Sequence, residues 1–66
     1  MTITLNGAPN ELPAPMSLAA LLDSLGLSGR PVVVELNEAA VLARDYPHVT
    51  IADGARVEVV TLAAGG

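Results

Sequence analysis

The 66-residue chain reads as an α+β roll: a mixed sheet of four or five strands with one main helix packed on one face. Three observations predict it. Only one stretch carries a helical stripe, at Leu18, Leu21, Leu22 and Leu25, spaced i, i+3, i+4 and i+7. Strand-like runs stand at both ends, Thr2-Ile3-Thr4-Leu5 and Arg56-Val57-Glu58-Val59-Val60-Thr61-Leu62. Turn signals at Asn6-Gly7 and Asp53-Gly54 divide the rest into short pieces. One helix covers one face of such a sheet, and the first and last strands are expected to pair in parallel at its centre.

The elements follow in order. Thr2 to Leu5 alternates polar and apolar, as a half-buried strand does. Asn6-Gly7 tolerates the positive φ of a type I′ turn, so Asn10-Glu11-Leu12 is expected to return as the second strand. Pro13 and Pro15 end the hairpin, because proline has no N–H to give a ladder. Ser17 supplies a hydroxyl to cap the helix, and Gly26 suits a left-handed residue just past its end, with Leu27 folding back onto it. Val32-Val33-Val34-Glu35-Leu36 is β-branched and reads as a middle strand. Asn37-Glu38 turns the chain into a brief strand at Val41-Leu42. The stretch from Ala43 to His48 reads as irregular, since Pro47 disfavours helix at Tyr46. Val49-Thr50-Ile51 leads into the Ala52-Asp53-Gly54 turn and the last strand.

Composition narrows the functions. No cysteine is present, so neither a disulfide nor a thiolate cluster for zinc is available. The hydrophobic share is 52%, with Tyr46 the single aromatic, so the core is aliphatic. Net charge is −4, and the arginines at 30, 44 and 56 are scattered, which argues against a phosphate-binding surface for nucleic acid. An acidic surface suits docking on a basic partner. No apolar run is long enough to cross a bilayer, and no basic leader precedes the first strand, so a cytoplasmic protein is expected. Lysine is absent too, leaving an activated C-terminus no internal ε-amine or thiol to acylate.

The last five residues, Leu62-Ala63-Ala64-Gly65-Gly66, carry the chemistry. Glycine lacks a Cβ, so Gly65 and Gly66 can thread a narrow channel and leave a terminal carboxylate sterically open. A carboxylate so presented can attack the α-phosphate of ATP and then pass to a sulfur or nitrogen nucleophile. In the preceding strand Val57, Val59 and Thr61 share one face while Val60 and Leu62 share the other. With Val57 and Val59 against the helix, Val60 and Leu62 point away from the core and read as a docking patch beside the tail.

Taken together, these pieces resemble the ThiS family of thiamine-pathway sulfur carriers. The resemblance rests on Ile3-Thr4-Leu5-Asn6-Gly7, on Ser17-Leu18-Ala19-Ala20-Leu21-Leu22, on Val32-Val33-Val34-Glu35-Leu36-Asn37, and on the run from Asp53-Gly54 through Thr61 to Gly65-Gly66. It implies a ubiquitin-like β-grasp domain over 1–62 and a flexible diglycine tail over 63–66. It also implies that the Gly66 carboxylate is adenylated by a ThiF-like, ATP-using enzyme related to ubiquitin-activating enzymes. A sulfur donor such as a cysteine desulfurase then converts it to a thiocarboxylate, which gives its sulfur to a ThiG-like thiazole synthase.

Ala63, Ala64 and Gly65 would be read by the partners' channels. The carrier would hold no permanent cofactor or metal, contribute no catalytic residue, touch neither nucleic acid nor membrane, and be monomeric when free. The alternatives are the small subunit of molybdopterin synthase, another β-grasp carrier ending in diglycine, and, in a different class, an interaction module with an inert tail. The early Asn6-Gly7 hairpin favours the thiamine reading. Asn37-Glu38-Ala39 stands where many relatives have Asn-Gly, which points to a differently built connection.

Of the remaining candidates, His48 reads as a solvated surface residue and Tyr46 as a lid over an edge of the core. Glu35 and Glu38 lack the cleft that paired acid–base carboxylates need. The arginines read as partners for nearby acids or for the activating enzyme.

Overall fold

The computed structural model describes residues 1–62. β1 (Thr2–Leu5) runs antiparallel to β2 (Ala8–Glu11), Thr2 facing Glu11 and Leu5 facing Ala8. The two residues between them have φ of 50° at Asn6 and 82° at Gly7, the double positive value that a type I′ turn requires. The returning strand therefore starts two residues before the expected Asn10, and Leu12 lies outside it. Pro9 sits inside β2 because that strand is an edge, where a missing N–H costs no rung. Leu12 turns inward instead, buried, with its N–H on the Met1 carbonyl at 2.8 Å.

Met16–Ser17 (β3) enters α1 (Leu18–Ser24). The Ser17 hydroxyl accepts from the Ala20 N–H at 3.0 Å, satisfying one orphan donor of the first turn. At the far end Leu27 N–H reaches the Leu22 carbonyl at 2.9 Å and Gly26 N–H the Asp23 carbonyl at 3.0 Å, the two bonds of a Schellman cap. Gly26 takes φ of 73°, which an ordinary side chain rarely adopts. The cap shortens the apolar stripe. Leu18, Leu21 and Leu22 are buried, but Leu25 falls on the cap and is exposed, while Leu27 packs against the core in its place.

β4 (Val32–Leu36) turns through Asn37-Glu38 into the antiparallel β5 (Ala39–Val41). That connection is not built differently from an Asn-Gly turn. Its φ values are 51° and 70°, again both positive, with Glu38 held where glycine would be strain-free. The expected strand at Val41-Leu42 thus lies earlier, and Leu42 instead precedes a 3₁₀ helix over Ala43–His48. This helix replaces the irregular segment. Tight i to i+3 turns, beginning with Asp45 N–H on the Leu42 carbonyl at 2.9 Å, carry the chain past Pro47, which has no N–H to lose. Thr50–Ile51 (β6) then pairs with β3 in a two-stranded ladder that ties the start of α1 to this segment.

β7 (Arg56–Thr61) completes the main sheet, whose order is β2-β1-β7-β4-β5. β1 and β7 are parallel, with Thr4 beside Arg56 and Leu5 beside Val57, and they occupy the middle as expected. β4 runs antiparallel on the other flank of β7, from Val32 opposite Thr61 to Leu36 opposite Val57. This is the β-grasp arrangement. Ile3, Leu18, Leu21, Val34, Ile51 and Val57 are fully buried where α1, β6 and the inner sheet face meet. A domain this small buries only about 60% of its unfolded surface, so no stability is in surplus.

Candidate functional site

The segment that leads to the tail is the middle strand of the sheet, and side chains as well as backbone hold it there. On the β1 flank the parallel ladder runs from Thr4 N–H on the Ala55 carbonyl to Asn6 N–H on the Val57 carbonyl, both at 2.9 Å. The chain then turns away at Asn6, and the next donor, Val59 N–H, would be stranded. The Asn6 side-chain carbonyl takes it at 2.7 Å.

The other flank repeats the device. Asn37 N–H bonds the Arg56 carbonyl at 2.8 Å, and the Asn37 Oδ1 accepts from Arg56 N–H at 2.9 Å. Asparagine serves at the first position of each type I′ turn because it tolerates positive φ and brings its own acceptor. At the exit, Leu62 N–H rests on the Pro31 carbonyl at 3.0 Å.

The alternation of β7 decides what its two faces carry. Val57 and Val59 are buried under the helix side, as expected. Arg56, Glu58 and Val60 point outward, with Val60 57% and Leu62 51% exposed. Register adds a residue that sequence reasoning missed. Val33 on β4 lies directly opposite Val60 and is 47% exposed, so the patch spans two strands. The run Val32-Val33-Val34 is uniformly β-branched, and only the pairing shows that Val34 is inside and Val33 outside. Next to this pair, Glu35 lies opposite Glu58 on the same outer face.

Other expected placements resolve simply. Ala63, Ala64, Gly65 and Gly66 lie outside the described residues. His48 is exposed, and Tyr46 is half-buried against the core beside Leu22, Leu27 and Val32 around a shallow depression. Arg56 pairs with Glu38 at 3.9 Å, both side chains well exposed. Among the described residues no three His, Asp or Glu side chains gather as a metal site. No helix there is long and apolar enough to cross a membrane.

Comparison with known proteins gives this geometry a lineage. The chain is 36% identical over 66 residues to a thiazole synthase of Paramagnetospirillum magneticum, matching all of this chain but only 20% of that protein. A second thiazole synthase, from Magnetococcus marinus, is 38% identical over the same span, and again the chain covers 20% of its length. The sulfur carrier protein ThiS of Thermus thermophilus is 39% identical over 64 residues, which cover 97% of this chain and 98% of the carrier. Among solved structures, the ThiS thiamine biosynthesis protein of Geobacter metallireducens superposes with a TM-score of 0.85 at 29% identity, covering 100% of both chains. The model of the ThiS family matches residues 3–66, and the chain belongs to that family.

Proposed function

We propose that the chain is a sulfur carrier for thiamine thiazole assembly, working through the Gly66 carboxylate. One observation carries the reading: the ThiS family match runs from residue 3 through Gly65 and Gly66. The fold supports it, because the central strand β7 ends at Thr61, a few residues before Gly65 and Gly66 in the sequence.

A carboxylate is a poor electrophile. Attack of its oxygen on the α-phosphorus of ATP expels pyrophosphate and gives a mixed anhydride with AMP as a good leaving group. The terminal sulfur of a persulfide on the sulfur donor, a cysteine desulfurase or similar protein, adds to the carbonyl and AMP departs. A second thiol cleaves the resulting acyl disulfide, leaving a thiocarboxylate on Gly66 and a disulfide on the donor. The thiocarboxylate is a soft nucleophile that delivers sulfur to thiazole synthase.

The carrier supplies neither general base nor cofactor; ATP belongs to the ThiF-like adenylating enzyme. It is a cosubstrate rather than a catalyst, a monomer when free, and it works in the cytoplasm. Val33, Val60 and Leu62 form the face on which its partners dock, with Ala63, Ala64 and Gly65 read by their channels.

Intact mass spectrometry tests the chemistry. After incubation with ATP, the adenylating enzyme and a sulfur donor, the protein gains the mass difference between sulfur and oxygen, mapped to Gly66. Absence of that gain, or its survival after Gly66 is deleted, overturns the proposal.

A further inference from the structure

Glu35 and Glu58 face each other across the β4–β7 pair on the solvent side of the sheet. Side chains in such register have Cβ atoms about 5 Å apart, and two like charges there oppose each other and destabilise the sheet. Arg56 shares the face two residues before Glu58, but its guanidinium sits 3.9 Å from Glu38. Among the described residues, no cation lies within ion-pair distance of Glu35 or Glu58. One rung away the same face turns apolar, with Val33 opposite Val60.

A sheet that sets an unneutralised carboxylate pair beside exposed valines is poorly arranged for itself. It is well arranged for a surface that brings a cation flanked by aliphatic groups. Resting on the docking reading above, we infer that Glu35 and Glu58 together receive one arginine or lysine side chain of thiazole synthase, while Val33, Val60 and Leu62 pack against its apolar surroundings. Arginine fits best, since its planar guanidinium offers a separate N–H edge to each carboxylate.

Two arguments select this occupant. The charge on the face calls for a cationic partner, against a chain whose own net charge is −4. Two relatives of this chain, in addition, are thiazole synthases in which the matching segment is 20% of one polypeptide. A synthase fused to its carrier keeps these two surfaces at high effective concentration.

Calorimetric titration of the full chain against thiazole synthase of the same organism tests the inference, alongside thermal unfolding of the chain alone. The double variant E35Q/E58Q is expected to bind about tenfold more weakly, with a flatter dependence on sodium chloride. It is also expected to unfold at a higher temperature than the parent, by about 2 °C or more, because the repulsion is gone. A purely structural pair would not lose binding while gaining stability. Val60→Asp provides the reference for the docking face.

If Val60→Asp abolishes binding while E35Q/E58Q retains both affinity and salt dependence, the cation site is refuted and the docking face stands. If Val60→Asp binds normally, the docking reading fails, and this inference with it. A loss confined to the adenylating enzyme, with thiazole synthase binding unchanged, refutes the choice of occupant.

Discussion

Removing the Asn6 side-chain carbonyl should loosen β7 at one defined rung. In the native sheet Val59 N–H donates to Asn6 Oδ1 at 2.7 Å in a partly buried position, after the backbone of β1 has already turned away. Replacement by glycine keeps the positive φ of 50° at no steric cost and deletes only the acceptor. A partly buried donor left unpaired costs about 1–3 kcal/mol, so Asn6→Gly should lose about 2 kcal/mol. In a domain of this size that lowers the melting temperature by about 8–16 °C.

Asn6→Ala should cost about 1 kcal/mol more, because a Cβ without a polar partner is strained in the left-handed region. Asn6→Asp keeps an acceptor and tolerates the conformation, so it should remain close to the parent. The total stability expected of 66 residues is about 3–10 kcal/mol, which makes the alanine variant marginal. Urea unfolding measures the ranking, and amide exchange by NMR measures the rung itself, since Val59 N–H should exchange faster in Asn6→Gly than its neighbours do. A glycine variant with the parent's midpoint and a fully protected Val59 amide would refute the reasoning.

Two further substitutions probe the other turn and the tail. Glu38→Gly should stabilise the protein by about 0.5–1 kcal/mol, seen as a higher urea midpoint with unchanged slope, because φ of 70° suits glycine better than glutamate. The Arg56–Glu38 pair lost with it is exposed and contributes little, so a drop in stability would show the strain argument to be wrong. Gly66→Ala should slow adenylation sharply while leaving the unfolding curve unchanged, because its methyl crowds the carbonyl that must be activated. Normal pyrophosphate release by that variant would sink the steric argument.

How far the sequence could be read depended on whether a position announced its own geometry. Asn6-Gly7 and Gly26 did so through positive φ, and the first turn and the helix end fell where those residues placed them, although the returning strand begins at Ala8 rather than Asn10. Leu18, Leu21 and Leu22 announced a face by spacing, but Leu25 shared that spacing and was lost to the cap. The 3₁₀ helix was hidden because Pro47 argues against α-helix without excluding tighter turns.

In the candidate site, alternation along β7 set Val60 on the face opposite Val57 and Val59, and the structure shows that this face is the outer one. Val33 and the Glu35–Glu58 pair were not legible, since each depends on which residue lies across the ladder. No local pattern records that register. The paired role of Asn6 and Asn37 was equally hidden, because it needs the knowledge that both turns flank one strand.

That flanking has a mechanical side. A partner that draws the segment after Leu62 into a narrow channel pulls along the axis of β7. Because β7 lies between β1 and β4, its hydrogen bonds run across the direction of pull and share the load together rather than peeling one by one. The asparagine clasps on Val59 and Arg56 add a rung on each side against sliding. An edge strand bonded on one side would yield to the same tug far sooner, so the central position of β7 would let a partner pull on the chain beyond Leu62 without unravelling the domain.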